Sequence, residues 1–147
     1  MPQPTIECDF LIAGSGAAGL AAATVAAHRG LRVVLAEKAQ VLGGTTAWSG
    51  GWIWAPGNPV CARNGIHETS DAPKRYLQSV LGNAFNEDLA SAFLSAAPEM
   101  VDFFERETAL CFEPGLKIPD TYSDLPRRTG QLELDVPVAL FPGLMDC

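Results

Sequence analysis

A chain of 147 residues with 48% hydrophobic and 18% charged positions can bury a real core, which excludes a disordered or low-complexity protein. Its net charge of −7 and pI near 4.7, with the only basic pairs (Lys74-Arg75 and Arg127-Arg128) far apart, argue against nucleic acid and anionic membrane as partners. Cys8, Cys61, Cys111 and Cys147 form no CxxC pair and have only His28 and His67 for company, so reduced thiols and no metal site are expected, with disulfides left open.

Residues 10–27 carry no charge over eighteen positions, a length that suits a signal or membrane helix. Glu7 and Asp9 stand where a signal peptide carries Lys or Arg, and Gly14, Gly16 and Gly19 interrupt the run. It therefore reads as strand, turn and helix in a cytoplasmic protein. Residues 9–13 have the length and apolar character of a buried parallel strand. Residues 17–29 are mostly Ala and Leu, good helix formers, and Gly30 follows where a helix turns out through the left-handed conformation. Residues 31–36 predict a second strand, stopped by Glu37-Lys38, which makes 9–37 a βαβ unit.

Residues 38–70 are rich in Gly, Thr, Trp, Pro and Asn and predict a long ordered loop, a type that carries function in a compact domain. The caps Ser70 and Asp71 open a helix to about Leu81, before Gly82-Asn83, and a second helix begins after Asn86 with Glu87 and Asp88 in its first turn. Pro98 is expected to divide that stretch and to open a third helix reaching Thr108, so that 71–109 is a helical segment. In 110–147 Pro and Gly recur, and only Cys111-Phe112 and Leu132-Glu133-Leu134 suggest strands.

Gly14-Ser15-Gly16-Ala17-Ala18-Gly19 is a GxGxxG sequence placed between a predicted strand and a predicted helix, the context that gives this otherwise weak motif meaning. Its glycines serve a tight turn, close approach of backbone to a pyrophosphate, and close packing of helix on strand, while the helix N-terminus offers free N–H groups to phosphate. Glu37, at the end of the second strand, can accept hydrogen bonds from ribose hydroxyls. These two features alone do not separate FAD from NAD. The next block favours FAD, because a second approach of backbone past the pyrophosphate suits Gly43, Gly44, Gly50 and Gly51, which lack Cβ atoms.

The runs DFLIAGSGAAGLAAA, LAEK, GGTTAWSGG and WIWAPGN resemble the N-terminus of flavoproteins related to soluble fumarate reductases and, more closely, to 3-ketosteroid dehydrogenases. The match is most specific over 9–58, and PEMVDFFERET, CFEP and PDTYSDLP extend it to about 126. The resemblance implies an α/β, Rossmann-like FAD-binding fold with a parallel sheet, incomplete, plus the helical segment. It implies that Gly14, Ser15, Gly16, Ala17, Ala18 and Gly19 line the pyrophosphate path, that Glu37 holds the ribose, and that Lys38 lies beside it. Gly43 belongs to the same site; Gly44, Thr45 and Thr46 would touch the phosphates and ribityl chain, and Ala47, Ser49, Gly50 and Gly51 would stand beside the isoalloxazine. Relatives with covalent flavin carry a His about where this chain has Gly44, so FAD is expected to be held non-covalently. Tyr122 falls near a region that supplies a pocket tyrosine in ketosteroid dehydrogenases, but Thr121 replaces an adjacent aromatic, and a surface tyrosine is the competing reading. Trp48, Trp52 and Trp54 read as packing anchors rather than flavin-stacking rings.

The reaction that the resemblance implies is 1,2-dehydrogenation beside a carbonyl of a small-molecule substrate, with a separate electron acceptor. Reduction of a fumarate-like dicarboxylate is the alternative, and a non-catalytic dinucleotide-binding fragment is another. A doubly wound sheet needs about five or six strands, and only two are secure here, so the 147-residue chain is expected to be inactive alone and to need a second polypeptide for the missing catalytic part.

Overall fold

The computed structural model describes residues 5–67 and 71–115 and the backbone of 139–143. Tyr122 and the strand expected at 132–134 lie outside the described residues. The chain divides into two compact units, Met1–Gly51 and Trp52–Cys147.

In the first unit, strand β1 (Phe10–Ala13), helix α1 (Ala17–His28) and strand β2 (Val33–Ala36) make the expected βαβ unit. The strands are parallel, with Phe10 opposite Val33 and Ala13 opposite Ala36. Ahead of β1, the Asp9 carboxylate accepts the Arg32 backbone N–H at 2.9 Å and the guanidinium through Nε and Nη2, each at 3.1 Å. The guanidinium holds the Asp9 carboxyl below its ordinary range. This clip defines the register at the base of the sheet, because a slip of one residue removes every one of its bonds. Both strands are shorter than the sequence suggested, since residues 9 and 31–32 serve the clip and the turn rather than the ladder.

Helix α1 leaves through Gly30 at φ +83, whose N–H reaches the Ala27 carbonyl while Leu31 N–H reaches that of Ala26. These are the paired bonds of a Schellman ending, and they aim the chain into β2. At the other end of the sheet Gly14 N–H extends the ladder to the Ala36 carbonyl at 2.7 Å. The uncharged run 10–27 is thus a strand, a turn and a helix, and among the described residues no helix is long and apolar enough to cross a membrane.

The second unit holds β3 (Ile53–Trp54), α2 (Pro59–Arg63), α3 (Ala72–Leu81), α4 (Glu87–Glu107), β4 (Cys111–Pro114) and β5 (Ala139–Gly143). β5 lies antiparallel between β3 and β4, with Trp54 opposite Ala139 and Cys111 opposite Gly143. Residues 38–67 therefore hold more regular structure than the ordered loop expected of them. They contain a 3₁₀ turn at Gly44–Trp48, β3 and α2, whose short length left no helical period to read. The start of α2 was nonetheless written in Asn58-Pro59. Buried Asn58 accepts the Cys61 N–H at 2.9 Å and donates to the Ala55 carbonyl at 2.6 Å, with Pro59 in the first turn.

The expected break at Pro98 does not occur, and α4 runs unbroken for 21 residues. Asn86 caps it by accepting the Leu89 N–H at 3.0 Å, and Ala90, Ala97, Val101 and Phe104 form its buried face. Burial of that face on both sides of Pro98 offsets the lost helical hydrogen bond. Trp54 stacks on Phe93 of α4 at 5.7 Å between ring centroids and meets Tyr76 of α3 at 5.4 Å. Trp54 thus packs as the sequence suggested, whereas Trp48 is largely exposed and is not the packing anchor expected of it. Among the described residues, Cys8 and Cys61 form no disulfide.

Candidate functional site

The first unit gathers the glycine turn, the end of β2 and the 3₁₀ turn on one another at the C-terminal ends of β1 and β2, where open α/β sheets bind ligands. Gly14 takes φ +95, a conformation open to glycine, and turns the chain from β1 towards α1. Gly19 sits against that turn. A Cβ built on it falls 2.0 Å from the Gly14 carbonyl oxygen and 3.4 Å from Ile12 Cγ2, so only glycine allows helix and strand to approach this closely. Gly16 is the opposite case. Apart from its two chain neighbours, a Cβ built there meets nothing nearer than Thr46 Oγ1, at 3.9 Å, which leaves space over the start of α1 for a ligand.

Helix α1 has no acidic residue in its first turn, and its N-cap Gly16 offers no side chain. Its Ala17 N–H is taken instead by Thr46 Oγ1 at 3.1 Å, from the 3₁₀ turn. In accepting that bond the Thr46 hydroxyl keeps its own hydrogen to donate, so the helix start and the hydroxyl together form a donor set suited to an anion.

Glu37 stands at the end of β2. Its Oε2 accepts from Ser15 N at 2.9 Å and Ser15 Oγ at 2.6 Å, and its Oε1 accepts from Ala39 N at 2.9 Å. The Ser15 hydroxyl, then the Ala39 and Ser15 amides, hold the carboxyl down at about 2. It is therefore an anion at every physiological pH, and Oε1 keeps acceptor capacity for a hydroxyl.

The 3₁₀ turn is internally tied. Ala47 N–H reaches the Gly43 carbonyl at 3.2 Å, Ser49 Oγ donates to the Thr46 carbonyl at 2.8 Å, and Gly51 N–H donates to Ser49 Oγ at 3.1 Å. Its entrance, Gly43, donates its N–H to Ser15 Oγ at 2.9 Å.

Of the residues singled out in the sequence, Gly14, Ser15, Gly16, Ala17, Gly19, Glu37, Gly43 and Thr46 thus meet in one place through these contacts. Lys38, Gly44, Thr45, Ala47 and Gly50 are exposed around it, and Trp48 is 89% exposed. Two links were not read from the sequence. One is the side chain of Ser15, assigned to a phosphate path but turned back onto Glu37 and Gly43; the other is the Thr46 hydroxyl on the helix start. A hydroxyl residue inside the glycine turn is the only sequence signal for the first. The second depends on how the turn folds back, which short-range patterns do not encode.

A family model described as an FAD binding domain matches residues 9–144. Over 122 residues the chain is 49% identical to a 4-oxocyclohex-2-ene-1-carboxylate 5-dehydrogenase of Sinomonas cyclohexanicum, a match covering 83% of this chain and 20% of that protein. It is 43% identical over 122 residues to a 3-oxosteroid 1-dehydrogenase of Mycobacterium tuberculosis, covering 82% of this chain and 21% of that one. The crystal structure of a 3-ketosteroid delta1-dehydrogenase from Sterolibacterium denitrificans, in complex with 1,4-androstadiene-3,17-dione, superposes with a TM-score of 0.74 at 32% identity, covering 90% of this chain and 22% of that one. The chain spans about a fifth of the length of these relatives.

Proposed function

The chain belongs to the FAD-binding domain family, and from that premise we propose that it is the FAD-holding part of an oxidoreductase that dehydrogenates a cyclic ketone next to its carbonyl. The observation that carries the cofactor reading is the open position over Gly16, framed by the α1 start, Thr46 and the Glu37 carboxylate. A pyrophosphate fits a space that a Cβ would narrow, beside N–H and O–H donors, and a ribose fits a fixed carboxylate.

In this reading Gly14, Ser15, Gly16, Ala17, Ala18 and Gly19 form the pyrophosphate wall and Glu37 accepts from the adenosine ribose, with Lys38 beside it. Gly43, Gly44, Thr45 and Thr46 lead along the phosphates and ribityl chain, and Ala47, Ser49, Gly50 and Gly51 border the isoalloxazine. The chemistry that bound FAD supplies is acceptance of two electrons from a C–H beside a carbonyl. The residues here bind and orient; proton transfer from the neighbouring carbon is assigned to none of the described side chains. The ketone reading is supported by two relatives whose names share a ring ketone and a dehydrogenation, one on a steroid and one on a single six-membered ring.

Titration of the purified chain with FAD, followed by flavin absorbance and fluorescence, tests the cofactor reading, and absence of binding overturns it. No histidine stands in residues 43–51, so the flavin is expected to be non-covalent. Yellow colour should leave the polypeptide completely in acid or in a denaturing gel, and colour retained on the unfolded band contradicts this.

A further inference from the structure

Ser15 is completely buried, and both hydrogen-bonding functions of its hydroxyl are taken up by the protein. Its hydroxyl accepts the Gly43 N–H at 2.9 Å and donates its single hydrogen to Glu37 Oε2 at 2.6 Å. With Gly43 as donor and an ionised carboxylate as acceptor, the chain Gly43 N–H to Ser15 O–H to Glu37 has one possible polarity, and each bond strengthens the other. Gly43 cannot shift cheaply to another partner. It is buried, it holds φ +110, and a Cβ on it would stand 2.6 Å from Ala47 Cβ.

We propose that Ser15 is a positioning residue that ties the entrance of the 43–51 turn to the Glu37 carboxylate, and so sets the flavin-facing turn in place before any ligand arrives. The proposal deepens the FAD reading and rests on it for the identity of the ligand. The tie itself is a property of the unliganded chain. Its electrostatic anchor is secure, since the Ser15 hydroxyl is the largest influence holding the Glu37 carboxyl low. Removing the hydroxyl leaves the Gly43 N–H buried without its acceptor, a penalty that the entrance relieves by opening.

The deciding experiment measures amide hydrogen exchange in the unliganded 147-residue chain and in Ser15→Ala and Glu37→Gln, alongside titrations with FAD and with ADP. In Ser15→Ala the Gly43 amide should exchange about tenfold faster or more, while the amides of β1 and β2 keep their protection. FAD affinity should fall by a larger factor than ADP affinity, because ADP meets only the phosphate-facing part of that turn and lacks the ribityl chain and isoalloxazine that the rest of it would border. A residue with a merely structural role would instead lower strand protection and weaken both ligands alike. Glu37→Gln keeps the shape but weakens the acceptor, so it should speed Gly43 exchange by a smaller factor, and it decides the matter if Ser15→Ala does not fold. Unchanged Gly43 exchange in the variants that fold, or equal losses of FAD and ADP in Ser15→Ala, overturns the proposal. Failure of the wild-type chain to bind FAD overturns the cofactor reading instead, and the exchange measurements then still decide the tie.

Discussion

Two glycines of one motif do different physical work. Gly19 is required by the fold, because a methyl group there would overlap the Gly14 carbonyl oxygen, a backbone atom with no freedom to move aside. Gly19→Ala should therefore destabilise the first unit by about 3 kcal/mol or more, read as a lower urea midpoint. Gly16 is required by the ligand. Its backbone is extended, at φ −67 and ψ 178, and its Cβ direction is open, so Gly16→Val should fold with a normal circular dichroism spectrum and melting temperature. The same variant should lose measurable FAD binding in a titration, because the branched side chain fills the pyrophosphate space. Equal affinity for wild type and Gly16→Val removes the assignment of that space to the cofactor.

At the scale of elements, the second unit is held by a three-way clip. Arg63 of α2 makes a bidentate pair with Glu105 of α4 at 2.6 and 2.7 Å, and Glu105 Oε1 also accepts the Phe112 N–H of β4 at 3.2 Å. The guanidinium, opposed by desolvation and aided by the Phe112 amide, holds the Glu105 carboxyl below its ordinary range. A carboxyl lowered in the folded state stabilises above its unfolded pKa, and that contribution is lost as pH falls through the folded value. Wild type should thus lose stability below about pH 4.3 faster than Glu105→Gln, and above it should exceed the variant by about 1–3 kcal/mol; urea unfolding at a series of pH values checks both. Helix α4 allows a test in the other direction. Pro98→Ala restores a helical donor in mid-helix at the loss of a half-buried ring, so it should raise stability by about 1–2 kcal/mol, visible as a higher melting temperature. A fall in melting temperature would mean that the Pro98 ring packs more tightly than its exposure indicates.

On the scale of the whole molecule, the described part of the parallel sheet has two strands, and Phe10 and Leu11 of β1 are 43% and 65% exposed. Parallel strands are ordinarily covered on both faces, so β1 leaves apolar surface open in this chain. The isolated 147-residue chain is therefore expected to bind FAD weakly and to show no turnover. An assay with a 3-ketosteroid or a cyclohexenone carboxylate and an artificial electron acceptor checks this, and turnover clearly above that of free FAD contradicts it.

The sequence by itself determined the βαβ unit, because a five-residue apolar run, an Ala-rich stretch and glycines at both turns are local signals that agree with one another. It also singled out Gly14, Ser15, Gly16, Ala17, Gly19, Glu37, Gly43 and Thr46, which the fold brings together at the end of β1 and β2. Tertiary structure alone decided three other matters. Pro98 stays inside α4 because burial on both sides outweighs a local helix-breaking preference. The three-stranded sheet pairs β3 with β5 from more than 80 residues away, and β3 is too short to carry a pattern; of its strands only β4 was suggested by the sequence, at Cys111-Phe112. The Ser15 hydroxyl bonds to Glu37 and Gly43, because the direction of a hydroxyl is set by which donor and acceptor the folded chain brings beside it.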